Sequence, residues 1–323
     1  MFKYIVRRLI LSIPVLLGVS FLSFIIIQAA PGDFLDQFRM NPTFSQESIR
    51  LLEEKFGLND NFFVQYGKWL FQMVQGNWGH SFQYHQPVFS IIWTRVGATL
   101  LLSITTLILS WSIGISVGIF AALRQYRPGD QIASVVAFLG LSIPNFFFAL
   151  LFLYFAAKTG WFPIGGIMSI NSAEFGFWQT IGDYLWHVVG PAITLGFSGL
   201  AGVMRQMRGQ FLDQMSMDYV EFARAKGMPR RTVVFGHALR NAINPLITMF
   251  GYALSSLLGG AVLTETVFSW PGMGRLTIEA LNAQDLYLVM ATLLLSSLML
   301  IIGNLIADIF LAGVDPRVRK RFQ

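Results

Sequence analysis

Long apolar stretches that contain no charged residue dominate the pattern along this chain. A helix needs roughly 20 apolar residues to cross the hydrocarbon core of a bilayer. Six stretches of about that length lack Asp, Glu, Lys and Arg altogether: 9–32, 96–123, 131–157, 184–204, 241–264 and 286–307. The pattern predicts an all-α membrane protein with six transmembrane helices.

Two further apolar features bear on that number of spans. A seventh charge-free run, 69–94, is rich in amides, imidazoles and glycine, which are costly in lipid, so we expect it outside the bilayer. The first span follows Lys3, Arg7 and Arg8, as a signal peptide would, but it exceeds the roughly 7–15 apolar residues of a signal sequence. We therefore expect the first helix to remain uncleaved.

Composition agrees with a membrane location. Hydrophobic residues make up 54% of the 323 residues and charged residues only 12%, which is too little polar surface for a soluble globule of this size. The formal net charge of +6 fits either a nucleic-acid-binding protein or a membrane protein with basic cytoplasmic loops. The absence of cysteine excludes disulfides and thiolate metal sites.

The distribution of Lys and Arg predicts the orientation. The loops and termini on one side, 1–8, 124–130, 205–240 and 308–323, carry 16 of these residues, and the loops on the other side carry 7. Because positively charged loops are retained in the cytoplasm, both termini are predicted to be cytoplasmic. The basic charge is then an orientation signal, and no nucleic-acid partner is expected.

The spans and loops divide the chain into four predicted segments. These are the N-terminus with the first helix (1–32), an extracytoplasmic insertion (33–95), a core with helices two to six (96–311), and a cytoplasmic tail (312–323). The insertion either covers the first two spans or docks an external partner, and the two roles are compatible.

The insertion contains two amphipathic patterns. Ser45 is placed to cap a short helix that ends at Gly57. A second helix is predicted to use Phe63, Gly67, Leu70 and Val74 as its apolar face and to end at Gly76, and Trp69 and Trp78 are expected at the membrane–water interface.

Two spans contain interruptions that suit either packing or a transport path. Pro144 is predicted to kink the third span, where Ser142 and Asn145 either bind the freed carbonyls or line a water-filled path. In the fifth span, Ser255 and Ser256 form a small polar stripe with Gly259 and Gly260, which fits a translocation wall or close helix packing.

In the second span, Gly114 and Gly118 have the spacing that favours close packing against another helix.

The cytoplasmic loop 205–240 predicts a helix, a turn and a second helix. Asp218 and Glu221 have the spacing of a capping box, Gly227 suits the helix stop, and Pro229 prevents continuation. Arg230 and Arg231 open the second helix. Such a compact pair forms a knob that can fit a groove on a soluble partner and transmit its motion to the fourth and fifth spans.

This loop resembles the EAA signature of ABC importer permeases. The matching residues are Glu221-x-Ala223-x-x-x-Gly227, although Phe222 stands where the family often has Ala. Further segments resemble the dipeptide and oligopeptide branch along essentially the whole chain: Arg7-Arg8, Pro31-Gly32-Asp33, Phe56-Gly57-Leu58, Gly76-Asn77-Trp78-Gly79-x-Ser81, Ser142-Ile143-Pro144, Thr264-Glu265 through Arg275, and Asp315-Pro316-Arg317. Asn77 departs from the Asp that relatives commonly carry.

The resemblance implies a type I ABC importer permease fold in the cytoplasmic membrane of a prokaryote. It implies that the loop is the coupling helix against an ATPase, formed by Glu221, Ala223, Arg224, Ala225, Gly227 and Pro229. It also implies that Glu265 and Trp270 belong either to an outer gate or to a rigid re-entrant turn. The implied partners are a second homologous permease, most simply in a heterodimer, two cytoplasmic ATPases, a solute-binding protein, the peptide substrate and membrane lipid.

Absent motifs narrow the remaining alternatives. There is no phosphate-binding loop of the G-x-x-x-x-G-K-[ST] type, so ATP and Mg²⁺ are expected on the partner subunits and no cofactor on this chain. The four scattered histidines predict no metal site, and no nucleophile motif indicates an enzyme. A related importer for nickel, glutathione or another small solute is the alternative. A secondary transporter is disfavoured because no carboxylate lies deep within a span.

Overall fold

The computed structural model describes residues 2–29, 39, 47, 50, 60–258 and 261–314. Within those residues the chain is helical, and its only β pairing is an isolated bridge between His80 and Pro87. The helices are α1 (Phe2–Ala29), α2 (Phe62–Val74), α3 (Val88–Leu123), α4 (Pro128–Ser142), α5 (Asn145–Thr159), α6 (Phe177–Met215), α7 (Asp218–Ala225), α8 (Leu239–Ala242), α9 (Asn244–Leu258), α10 (Val262–Val267), α11 (Met273–Asn282) and α12 (Leu286–Val314). A 3₁₀ turn, Ile170–Glu174, precedes α6, and a π-helical segment, Thr232–Ala238, precedes α8.

Four of the described helices are long and apolar enough to cross a membrane: α1, α3, α6 and α12. They correspond to the first, second, fourth and sixth predicted spans. The third predicted span is divided into α4 and α5, which together would make a fifth crossing. The fifth predicted span is represented by α9, which has 15 residues and ends just before 259–260, outside the described residues.

The break between α4 and α5 is larger than the kink expected from Pro144. The helix direction changes by 110° between them. Ile143 is extended, with φ −84° and ψ 124°, and Pro144 is extended as well, with φ −59° and ψ 135°. Proline disfavours the α conformation in the residue before it, so two consecutive residues leave the helix and the chain changes direction. The prediction of one kinked helix was therefore wrong.

Close packing of α3 against α6 forms the centre of the fold. A Cβ atom added to Gly114 would lie 2.9 Å from Val203 Cγ1, and one added to Gly118 would lie 2.7 Å from the Met204 carbonyl oxygen. The two glycines therefore let the helix backbones approach more closely than any larger residue would allow.

The helix α2 packs through a different face from the one that the sequence pattern indicated. Phe62, Tyr66, Trp69 and Met73 contact α1 and α12, whereas Phe63 and Val74 of the predicted apolar face are exposed. Trp69, expected at the membrane–water interface, is buried beside Phe24, Met290 and Leu294. The helix does end before Gly76, which has a φ of +86°. The helix predicted from Ser45 to Gly57 lies outside the described residues, apart from residues 47 and 50.

Candidate functional site

The short helix α7 is terminated by Gly227, the residue after its C-cap Lys226, as the sequence predicted. The Gly227 N–H donates to the Arg224 carbonyl at 2.9 Å, and the Met228 N–H donates to the Ala223 carbonyl at 3.3 Å. This pair of bonds is a Schellman motif, which needs a left-handed residue at its turn. Gly227 supplies it with a φ of +72°. Pro229 then begins the next turn, and its carbonyl accepts from Thr232 and Val233.

The predicted capping box at the start of α7 is wrong. Met217 occupies the N-cap position and makes no side-chain cap, and Asp218 is the first helical residue. Asp218 and Glu221 both lie in the first turn, where their negative charges favour the positive end of the helix dipole. Glu221 is exposed, and no residue in the described part of the chain forms a hydrogen bond with its carboxylate.

One face of α7 is anchored in the core and the other is open. Val220 and Ala223 are buried in a cluster that includes Met207 and Phe211 of α6 and Val233 of the π-helical segment. On the open side, Glu221, Phe222, Arg224 and Ala225 are exposed. The Phe222 ring is 63% exposed, and the ammonium of Lys226 lies 4.5 Å from its centroid. The helix thus forms a ridge that is attached to α6 through its buried side.

A second cluster of sequence-predicted residues lies where α10, α11 and α3 meet. The Glu265 carboxylate is fully buried and accepts from Thr99 Oγ1 at 3.0 Å and from the Arg275 N–H at 3.0 Å. Trp270 is also fully buried, and its Nε1 donates to the Ala98 carbonyl at 3.0 Å. A Cβ atom on Gly272 would lie 2.2 Å from the Glu265 carboxyl carbon, so only glycine allows this approach.

The loop before α3 is held against the start of α12. Asp285 is fully buried; its Oδ2 accepts from Ser81 Oγ at 2.6 Å and from the Gln83 N–H at 3.1 Å. Its Oδ1 accepts from the Leu288 N–H at 3.2 Å and so caps α12. Next to it, Tyr84 Oη donates to Glu279 Oε2 at 2.8 Å, and burial together with this bond raises the pKa of the Tyr84 phenol.

Comparisons with known proteins identify the family. The model for the inner membrane component of binding-protein-dependent transport systems matches residues 114–320, and the model for the N-terminal part of such components matches residues 1–105. The chain belongs to this family of membrane transport components. It is therefore a permease, a translocation component without enzymatic activity of its own, and a multi-pass protein of the inner membrane.

Individual relatives are similar to this permease along nearly its full length. An oligopeptide transport system permease protein of Bacillus subtilis (strain 168) is 42% identical over 98% of this chain and 99% of the relative. A dipeptide transport system permease protein of Alkalihalophilus pseudofirmus is 33% identical over 99% of this chain and 100% of the relative. A glutathione transport system permease protein of Escherichia coli (strain K12) is 34% identical over the same shares.

The residues predicted to line the transport path lie at three separate places in the permease. Ser142 and Asn145 flank the break between α4 and α5, and Ser142 Oγ donates to the Phe138 carbonyl at 2.9 Å. Ser256 is exposed and donates to the Ala253 carbonyl at 3.1 Å. The side chain of Ser255 lies outside the described residues. Glu265 and Trp270 share one junction, in which the Trp270 N–H donates to the Glu265 carbonyl at 2.8 Å.

An ion pair that the sequence pattern did not predict fastens α4 to α6, the helix that precedes α7. Arg208 of α6 donates from Nε and Nη2 to the two oxygens of Asp130, which is buried. The Tyr126 N–H also donates to Asp130, at 2.9 Å. The available signal was that Asp130 is the only acidic residue in the otherwise basic loop 124–130. In the described residues, no group of three or more His, Cys, Asp or Glu side chains is arranged to hold a metal ion.

Proposed function

We propose that this permease takes up dipeptides and oligopeptides that an external solute-binding protein delivers, as part of an ATP-driven ABC importer. The full-length similarity to an oligopeptide permease at 42% identity carries the substrate assignment. The dipeptide permease among the relatives supports the same substrate class.

The proposed architecture has six spans. They are α1, α3, the α4–α5 pair, α6, α9 with the residues that follow it, and α12. Both termini and the loop that contains α7 face the cytoplasm, as the excess of Lys and Arg on that side favours. The segment 33–95 then lies outside the membrane on the side from which substrate arrives. A second homologous permease completes the translocation unit, most simply as a heterodimer.

In the proposed mechanism, the open ridge of α7 binds a cytoplasmic ATPase. Glu221, Arg224 and Ala225 meet the ATPase from the exposed side, and Ala223 secures the helix to the core. Gly227 and Pro229 fix the turn. ATP and Mg²⁺ bind to the two ATPases, with no cofactor on this chain, and closure of the ATPases moves α7. Because Val220 and Ala223 are packed against α6, that movement reaches the membrane helices.

The path residues are assigned as part of the same proposal. Ser142, Pro144 and Asn145 at the α4–α5 break, and Ser255 and Ser256 on α9, contribute to the translocation path. Glu265 and Trp270 stiffen the outer gate instead of lining it, because both side chains are completely buried.

A second candidate substrate is glutathione. The observation that favours it is the 34% identity to a glutathione permease over the full length of both chains. Glutathione is itself a small peptide-like anion, so both candidates require the same kind of permease. The separate binding protein would select between them.

Uptake by the reconstituted transporter tests the proposal. The permease, its partner subunits and the binding protein are assembled in proteoliposomes with ATP at the ATPase side, and entry of a labelled oligopeptide is followed. We expect uptake that requires both ATP and binding protein and that unlabelled di- and oligopeptides inhibit. Inhibition by glutathione but not by peptides would favour the second candidate. Uptake driven by an ion gradient without ATP would overturn the mechanism.

A further inference from the structure

The helix α2 presents three distinct faces around its axis. Phe62, Tyr66, Trp69 and Met73 point into the protein. A second sector is apolar but exposed: Phe63 is 70% exposed, Phe71 68% and Val74 77%. Lys68 and Gln72 form a third sector, which is exposed and polar. At 100° per residue, Phe63, Val74 and Phe71 are adjacent on the helix surface, and Lys68 and Gln72 follow beyond Phe71.

Contacts with α1 set the depth of α2 along a membrane-spanning helix. Gln28 Nε2, at the C-terminal end of α1, donates to Gln65 Oε1 at 2.8 Å. Tyr66 Oη lies 2.8 Å from Ser20 Oγ and donates to the Leu17 carbonyl at 3.3 Å. Eleven residues separate Gln28 from Leu17, which corresponds to about 16 Å of helix. Since the hydrocarbon core is about 30 Å thick, α2 lies beside the C-terminal half of α1, within one leaflet.

Aromatic contacts hold α2 at this level. Phe62 lies 4.9 Å from Phe24 and Tyr66 lies 5.2 Å from Phe21, measured between ring centroids. Phe63 stacks on Phe21 at 6.4 Å with most of its ring still exposed. The printed ring contacts with α1 come from the first turns of α2, whereas Trp69 and Met73 further along belong to the cluster with Met290 and Leu294 of α12, so α2 crosses from α1 towards α12.

The exposed apolar face of α2 continues the lipid-facing surface of α1. Leu17, Leu22, Ile25 and Ile26 of α1 are exposed in the same half of that helix. A transmembrane helix that is apolar and exposed at this depth contacts acyl chains. The exposed apolar side chains of α2 lie beside this half of α1, so they meet the same acyl chains.

We propose that α2 is an in-plane membrane helix. Phe63, Phe71 and Val74 lie among the acyl chains of the leaflet that surrounds the C-terminal half of α1. Lys68 and Gln72 face the lipid headgroups, and the ion pair between Lys68 and Asp60 reduces the cost of placing an ammonium there. The occupant of the exposed apolar face is thus lipid. In a helix of this kind the apolar face lies about 5–10 Å below the headgroup boundary. With the proposed topology, the leaflet is the outer one.

The absence of cysteine from the chain allows a direct test. Single-cysteine variants Phe71→Cys and Val74→Cys in the apolar sector, and Gln72→Cys as the matched control in the polar sector, are assembled with cysteine-free partner subunits. They are reconstituted into vesicles of phosphatidylcholine and phosphatidylglycerol and labelled with a nitroxide. Collision rates with oxygen, which concentrates in lipid, and with a water-soluble nickel chelate then report depth, without and with the binding protein.

We expect the labels at 71 and 74 to favour oxygen and to lie about 5–10 Å below the phosphates. The label at 72 should favour the nickel chelate. The binding protein should change neither result, since lipid already covers the apolar sector. Preference for the nickel chelate at all three positions would overturn the proposal. So would protection of positions 71 and 74 that arises only when the binding protein is added. Both readouts are independent of transport and therefore of the proposed substrate.

Discussion

Arg208 binds both carboxylate oxygens of Asp130, from Nε to Oδ1 at 2.6 Å and from Nη2 to Oδ2 at 2.7 Å. Asp130 lies in the first turn of α4, and Arg208 lies on α6, seven residues before that helix ends at Met215. A paired guanidinium and carboxylate of this geometry resist sliding as well as separation. The contact joins the broken α4–α5 pair to α6, the helix that precedes α7.

The first prediction concerns this ion pair. Arg208→Ala leaves the buried Asp130 carboxylate unpaired, and we expect a loss of roughly 2–4 kcal/mol in stability, reduced from the fully buried case because Arg208 is partly exposed. ATPase activity should become less dependent on substrate because α6 is no longer tied to α4. Thermal unfolding and substrate-stimulated ATPase rates measure the two effects. The exchange Asp130→Arg with Arg208→Asp should recover part of both, and equal damage in the exchanged variant would contradict a direct pair.

The second prediction concerns the turn at Gly227. A Cβ atom there meets no atom within 4 Å, so the cost of substitution arises from the left-handed backbone alone. Gly227→Ala should cost about 1–2 kcal/mol locally, and Gly227→Asn should cost less because Asn tolerates this conformation. Transport-coupled ATPase activity should fall more in Gly227→Ala than in Gly227→Asn. A bulky residue such as Leu should prevent ATPase assembly while membrane insertion remains intact.

The control for Gly227 is Gly209→Ala on α6, where added volume is also unobstructed but the backbone is helical. This variant should retain coupling. If Gly227→Leu showed normal uptake, the assignment of α7 as the coupling helix would fail.

The third prediction concerns Pro144. Pro144→Ala restores a backbone donor and removes the restriction on Ile143. We expect the angle between α4 and α5 to relax toward a continuous helix, with altered uptake and unchanged ATPase binding. Distances between spin labels placed near the far ends of α4 and α5 would measure the angle. An altered angle with unchanged uptake would leave Pro144 with a packing role only.

The fourth prediction concerns the contact between Gly272 and Glu265. Gly272→Ala places a methyl group on the Glu265 carboxylate and should destabilise the permease by about 1–3 kcal/mol. The double variant Gly272→Ala with Glu265→Ala removes the clash and should be more stable than Gly272→Ala alone. Thermal unfolding of the two variants and of Glu265→Ala completes the cycle. Strictly additive losses would show that the two positions do not share this contact.

Local signals made the end of α7 and the turn that follows it predictable. The left-handed turn at Gly227 and the new helix after Pro229 depend on residues within a few positions of one another, and the sequence contains them all. The same holds for the spans α1, α3, α6 and α12, because each is long enough and apolar enough to be recognised alone.

Tertiary partners decided two of the features that were missed, and the local backbone decided a third. The apolar residues of α2 fit two faces, and Phe24 of α1 and Met290 of α12 determine which face is buried. The 110° break requires both Ile143 and Pro144 to be extended, whereas the proline alone indicates only an interruption. Asp130 and Arg208 lie 78 positions apart, beyond the reach of any helical periodicity.

Asp285 makes the loop before α3 and the first turn of α12 into one mechanical unit. One carboxylate caps α12 through Leu288 and at the same time binds Ser81 and Gln83. A rearrangement that displaced the loop alone would strip a buried charge of two donors. An opening at this end of the permease is therefore expected to move the loop before α3 and the first turn of α12 together, as one rigid body.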